Sequence, residues 1–106
     1  MAIAEMAYRL TARFPKDEIY GMTSQIRRSA ASIAANIAEG YGRENRGSFI
    51  QFLRVAQGSL KEVETHLMLS VRVGIATAKH IEVLLARSDE LGRMLRSLIR
   101  SLQRKA

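Results

Sequence analysis

Apolar residues in this chain recur every three or four positions, the period of a helix face rather than the alternation of a strand. Ile3, Met6, Leu10 and Phe14 form the first stripe. It predicts a helix over 2–14, broken at Phe14-Pro15 because a residue before proline is pushed out of the α region. Residues 16–21 read as a connector. Met22, Ile26, Ala30, Ile33 and Ile37 follow at the same spacing. At about 100° per residue they fall within an arc of roughly 80°, which predicts a second helix over 22–41. The opposite side carries Ser24, Ala31, Ala35, Ala38 and Gly42, all small. Either this face packs closely on another helix or subunit, or alanine is there only as a strong helix former. Gly40 and Gly42 are expected to end the helix, glycine supplying a left-handed cap.

The longest stripe runs through Phe49, Phe52, Leu53, Ala56, Leu60, Val63, Leu67 and Val71. It predicts a third helix over 48–73, with Ser48 as cap, Gln51 completing a capping box and Val73-Gly74 closing it. Thr77 is a cap for a fourth helix over 77–103, whose core side holds Ile81, Leu84, Leu85, Leu91, Leu95, Leu98, Ile99 and Leu102. The chain has a single proline and few Val, Thr or aromatic residues, which argues against a sheet. Short loops between long amphipathic helices predict one all-α domain over 1–106, an antiparallel up-down four-helix bundle.

Charge adds a partner class to this picture. Lys and Arg number 17 against 10 Asp and Glu, for a net charge of +7, and thirteen of the cations are arginine. Such a balance favours an acidic partner, most often nucleic acid, although it also serves solubility alone. Arg93, Arg96, Arg100 and Arg104 span roughly 80° of the fourth helix, opposite its leucines, and no acid follows Glu90. Guanidinium forks at one-turn spacing could follow a sugar-phosphate backbone. The competing reading is a solvated face whose cations suit the C-terminal end of the helix dipole. Arg27 and Arg28 lie on the second helix, Arg43 and Arg46 flank the loop after it, and Arg54, Lys61 and Arg72 share one side of the third. Some of these are expected to pair with Glu39, Glu44, Glu62 or Glu64. Tyr41 could stack a base, but with no Trp and three Phe that read as core, phosphate contact is the expected mode.

Other chemistry finds little support. There is no Cys, so disulfides and thiolate metal sites are excluded. His66 and His80 lack the Glu-x-x-His spacing of a di-iron bundle, and Gly40-Tyr41-Gly42 follows a helix rather than a strand, without the Lys-Ser/Thr pair of a phosphate loop. Asp17-Glu18 and Asp89-Glu90 are adjacent pairs that point apart. No enzyme activity, cofactor or metal is expected. Neither a membrane span nor a secretory signal is legible, so the expected location is the bacterial cytoplasm. Ser29, Ser32, Asn36 and Glu39 form a polar seam on the second helix. It is either a helix-helix hydrogen-bond line or exposed face, or a register-fixing device in an assembly.

Three runs carry a resemblance: Tyr20–Ala30 (YGMTSQIRRSA), Ser32–Arg43 (SIAANIAEGYGR) and Phe49–Thr65 (FIQFLRVAQGSLKEVET). They resemble the bacterial four-helix-bundle family named after intervening sequences in 23S ribosomal RNA genes. The match is strong over about residues 14–75, and the fourth helix agrees in pattern only. The first helix is shorter than the family pattern, which would place the start of the chain inside it. The family is also similar to the accessory variability proteins of diversity-generating retroelements, barrel-like homopentamers that bind nucleic acid and a reverse transcriptase. The resemblance therefore implies a homopentamer with a basic surface, and marks Arg27, Arg28, Arg43 and Arg54 as candidate contacts. The family name records a genomic location, not an activity. Two functions follow as expectations: a non-enzymatic, oligomeric RNA-binding protein of weak sequence specificity, or a scaffold that docks a protein partner such as a polymerase-like enzyme.

Overall fold

A computed structural model describes residues 2–18 and 21–104, with the side chain of Ala2 excluded. Tyr20, part of the first family-like run, lies outside the described residues. The described residues form four α-helices, α1 Ala2–Thr11, α2 Met22–Tyr41, α3 Arg46–Arg72 and α4 Ala78–Arg104, with a 3-10 turn at Lys16–Glu18 before α2. No strand occurs among the described residues. The bundle measures 47 × 22 × 18 Å. Its core draws on the stripes of α2, α3 and α4 read from the sequence: Ile26, Ala30 and Ile33 from α2, Leu53, Ala56, Leu60, Val63 and Leu67 from α3, and Ile81, Leu84, Leu95 and Ile99 from α4. In α1 the fully buried residue is Ala7, which the stripe did not include, while Ile3, Met6 and Leu10 are half-buried against the core.

The helix ends differ from expectation, each for a local reason. α1 stops at Thr11 rather than 14. Its last turns tighten, with Arg13 N–H donating to Leu10 and Phe14 N–H to Thr11, yet Phe14 still buries its ring in the core. α2 runs through Gly40 to Tyr41, and Gly42 caps it in right-handed conformation (φ −81°), so no left-handed glycine is used there. Gly40 instead provides clearance: a Cβ at that position would sit 2.9 Å from the Phe49 ring. α3 starts two residues before the expected Ser48, because Asn45 is the cap, its side-chain oxygen accepting from Ser48 N–H at 3.0 Å. At the other end of α3, Gly74 does adopt the left-handed conformation (φ +81°). Ile75 N–H reaches back to Ser70 O and Gly74 N–H to Val71 O, a Schellman closure that satisfies two orphan carbonyls. Thr77 caps α4 as expected, its Oγ1 accepting from His80 N–H at 3.2 Å.

Half of the polar seam of α2 bonds across to α3, while Glu39 at its end is exposed and pairs with Arg43. Ser29 Oγ donates to Glu62 Oε2 at 3.2 Å, and the Ser32 and Ser59 hydroxyls meet at 2.8 Å. Asn36 Nδ2 donates to Ser32 O at 2.8 Å within its own helix. Of the small-residue face, Ala31, Ala35, Ala38 and Gly42 lie exposed on the surface of the single chain and Ser24 is half-buried.

Candidate nucleic-acid interface

The nine arginines singled out by sequence have three fates. Arg27, Arg43 and Arg93 are occupied within the fold. Arg27 Nε donates to Thr11 Oγ1 at 2.8 Å, and its guanidinium lies 4.6 Å from the centre of the Tyr8 ring, so it fastens α1 to α2. Arg43 pairs with Glu39 at 2.9 Å and covers the Phe52 ring. Arg93 pairs with Asp89 one turn back, so the α4 row is partly neutralised although no acid follows Glu90. Arg28, Arg46 and Arg104 are exposed and scattered; Arg28 donates to its own helix at Ser24. Arg54, Arg96 and Arg100 converge.

Their convergence follows from the core pattern. Arg54 comes one residue after buried Leu53; Arg96 and Arg100 come one residue after buried Leu95 and Ile99. One residue is about 100° around a helix, so each cation flanks the core rather than opposing it. Because α3 and α4 run antiparallel, the residues one step past the core on each helix fall on the same side of their seam. The result is a groove between the two helices, made of a cleft of about 390 Å³ lined by Arg54, Gln57, Gly58, Lys61, Gly92 and Arg96 over Leu60. A second cleft of about 250 Å³ shares Arg54, Gln57 and Arg96 and adds Ile99, Arg100 and Gln103. Lys61 is held by Glu64 at 3.3 Å. Among the described residues, Arg54, Arg96 and Arg100 make no ion pair, and no carboxylate lines either cleft.

The floor is bare. A Cβ at Gly58 would meet nothing within 4 Å, and one at Gly92 would meet Leu60 Cδ2 at 3.5 Å and Arg96 Nη1 at 3.6 Å. The Arg96 guanidinium thus lies over the backbone at Gly92. Gln57, Gln103, Gly58 and Gly92 were missed by a reading of charge alone. Their signal was positional: they share the flanks on which Arg54, Arg96 and Arg100 lie. Tyr41, the candidate stacking ring, is 66% exposed, leans on Phe49 with ring centres 4.9 Å apart and lines neither cleft.

Residues 1–97 match the family described as 23S rRNA-intervening sequence protein. The chain belongs to that family. A protein of unknown function from the S23 ribosomal protein family of Bacteroides thetaiotaomicron, known from its crystal structure, is similar over 92% of this chain and 97% of its own, with 27% identity and a TM-score of 0.77. No curated protein matches the chain. Neither the 23S rRNA-intervening sequence protein description nor that of the structural neighbour names an enzymatic activity. No helix of the described residues is long and apolar enough to cross a membrane.

Proposed function

We propose that this member of the 23S rRNA-intervening sequence protein family is a non-enzymatic RNA-binding protein that holds the phosphate backbone in the α3–α4 groove. The observation that carries the reading is the cluster of Arg54, Arg96 and Arg100 without a carboxylate among the lining residues. Three guanidiniums gathered in one concave strip repel one another, and a polyanion relieves that repulsion while accepting bidentate hydrogen bonds. Specificity for sequence is weak because phosphate contacts position a nucleic acid without reading it. The working form is a homo-oligomer in the cytoplasm, a pentamer by the resemblance, with the exposed Ala31, Ala35, Ala38 and Gly42 face supporting close subunit contact.

Fluorescence anisotropy with a short labelled RNA tests this. The wild-type protein is expected to bind at low salt, with log affinity falling against log salt at a slope of about −2 for three contacts on a single strand. Arg54→Ala/Arg96→Ala/Arg100→Ala should abolish binding, whereas Arg43→Ala/Arg93→Ala should retain it. Absent binding at low salt overturns the reading. A protein captured by the wild type but not by the triple variant, without RNA binding, would assign the same cluster to a scaffold. Sedimentation of the purified chain decides the pentamer.

A further inference from the structure

We infer that α4 carries a self-complementary face through which two copies of this chain pair antiparallel about a two-fold axis, a contact independent of RNA binding. Val83, Arg87, Glu90 and Met94 follow at spacings of four, three and four, so they form one stripe of the helix. All four are exposed, Val83 at 57% and Met94 at 66% although both are large and apolar. The stripe reads apolar, cation, anion, apolar, which is its own complement when reversed. Two α4 helices laid antiparallel, with the axis level with Ser88 and Asp89, set Val83 of each copy against Met94 of the other and Arg87 against Glu90. Such a contact uses the same patch on both copies and closes on itself. Arg87 and Glu90 lie 3.5 Å apart within one chain, so a second copy turns one exposed ion pair into a ring of four alternating charges. Net charge also selects this segment. The chain carries +7, which sets copies against one another, but from Val83 to Met94 the charges cancel, Arg87 and Arg93 against Asp89 and Glu90. The flanks have room for the apolar ends. A cleft of about 270 Å³ beside Met94 is lined by Ile3, Ala30, Ile33 and Leu91 among others. One of about 330 Å³ beside Val83 is lined by Met6, Leu10 and Leu84 with Arg9, Arg13 and His80. In the antiparallel register Val83 of the second copy meets the first cleft and its Met94 the second. Arg96 lies about 200° round α4 from Met94, so pairing leaves the α3–α4 groove of each copy open.

The chain has no cysteine, so introduced thiols report the register without background. Within one copy, positions 83 and 94 are about 16 Å apart along the helix, and like positions are as far apart across the axis, beyond the reach of a disulfide. Mild oxidation of Val83→Cys/Met94→Cys should therefore give a covalent dimer and nothing larger, while Val83→Cys alone and Met94→Cys alone stay uncrosslinked. Sedimentation supplies a second measurement. The wild type should have twice the mass of Arg87→Glu or of Glu90→Arg, each of which sets like charges face to face. Arg87→Glu/Glu90→Arg exchanges the pair, keeps its complementarity and should recover the full mass. Every substituted side chain is exposed, and circular dichroism checks that the helices are retained. A covalent ladder beyond the dimer, cross-linking of either single variant, none in the double variant, or masses indifferent to the charge reversals overturns the inference. None of these outcomes bears on the phosphate-binding reading, which is tested separately at Arg54, Arg96 and Arg100.

Discussion

Neighbouring arginines on one helix can have unrelated roles, and position decides which. Arg27 and Arg28 are adjacent, yet Arg27 is half-buried and bonded while Arg28 is exposed. Thr11 Oγ1 donates to Ala7 O and accepts from Arg27 Nε, so deleting the guanidinium leaves a buried hydroxyl short of a partner. Arg27→Ala is expected to cost about 1–2 kcal/mol in urea unfolding, from the hydrogen bond and the lost ring contact together. Its RNA affinity should not change. The glycines divide in the same way. Gly58→Ala should stabilise by about 0.8–1 kcal/mol, because the methyl meets open space and helix propensity alone decides the sign. Gly40→Ala gains the same propensity but drives a methyl to 2.9 Å from the Phe49 ring and 3.3 Å from Phe52 Cβ. Overpacking of about 1–3 kcal/mol outweighs it, so the melting midpoint should fall. Sequence showed seven glycines of equal appearance. What separates these two is a ring contributed by a different helix, which no local pattern encodes.

Elements were more legible than residues, and their ends less legible than their middles. The stripes of α2, α3 and α4 were readable because a 3.6-residue period repeats over 20 to 27 residues. A cap is one hydrogen bond among several equivalent candidates. Asn45 and Ser48 rank alike as caps, and the Ser48-x-x-Gln51 spacing favoured the wrong one. Only the backbone N–H of Ser48 is used, so Asn45→Ala should cost about 1 kcal/mol while Ser48→Ala stays near neutral. Thermal melts of the two variants would decide it; equal losses would refute the assignment. The α2 seam was legible as polar, but its use was not. Ser29 and Ser32 bond across to α3, and Asn36 bonds within α2, so the helix-pairing alternative is the one the geometry satisfies.

At the scale of the molecule, the groove costs stability where it gathers charge. The sequence disclosed the sign of that charge and the row along α4, but not that α3 would complete it, because Arg54 and Arg96 are distant in the chain and meet only through antiparallel packing. Arg96 faces Arg100 one turn ahead on its own helix and Arg54 across the groove, and no carboxylate lies among the lining residues to screen them. Like charges at this spacing oppose helix formation by about 0.2–0.5 kcal/mol per pair. Gln has nearly the helix propensity of Arg, so Arg96→Gln removes repulsion and little else. It is expected to raise the unfolding midpoint at low ionic strength, with the gain vanishing as salt approaches about 1 M and the screening length falls to about 3 Å. The same variant should bind RNA less well. A residue whose removal stabilises the fold and weakens binding is retained for its ligand. A residue whose removal destabilises the fold at every salt concentration is structural, and that outcome for Arg96 would return the cluster to the class of Arg27.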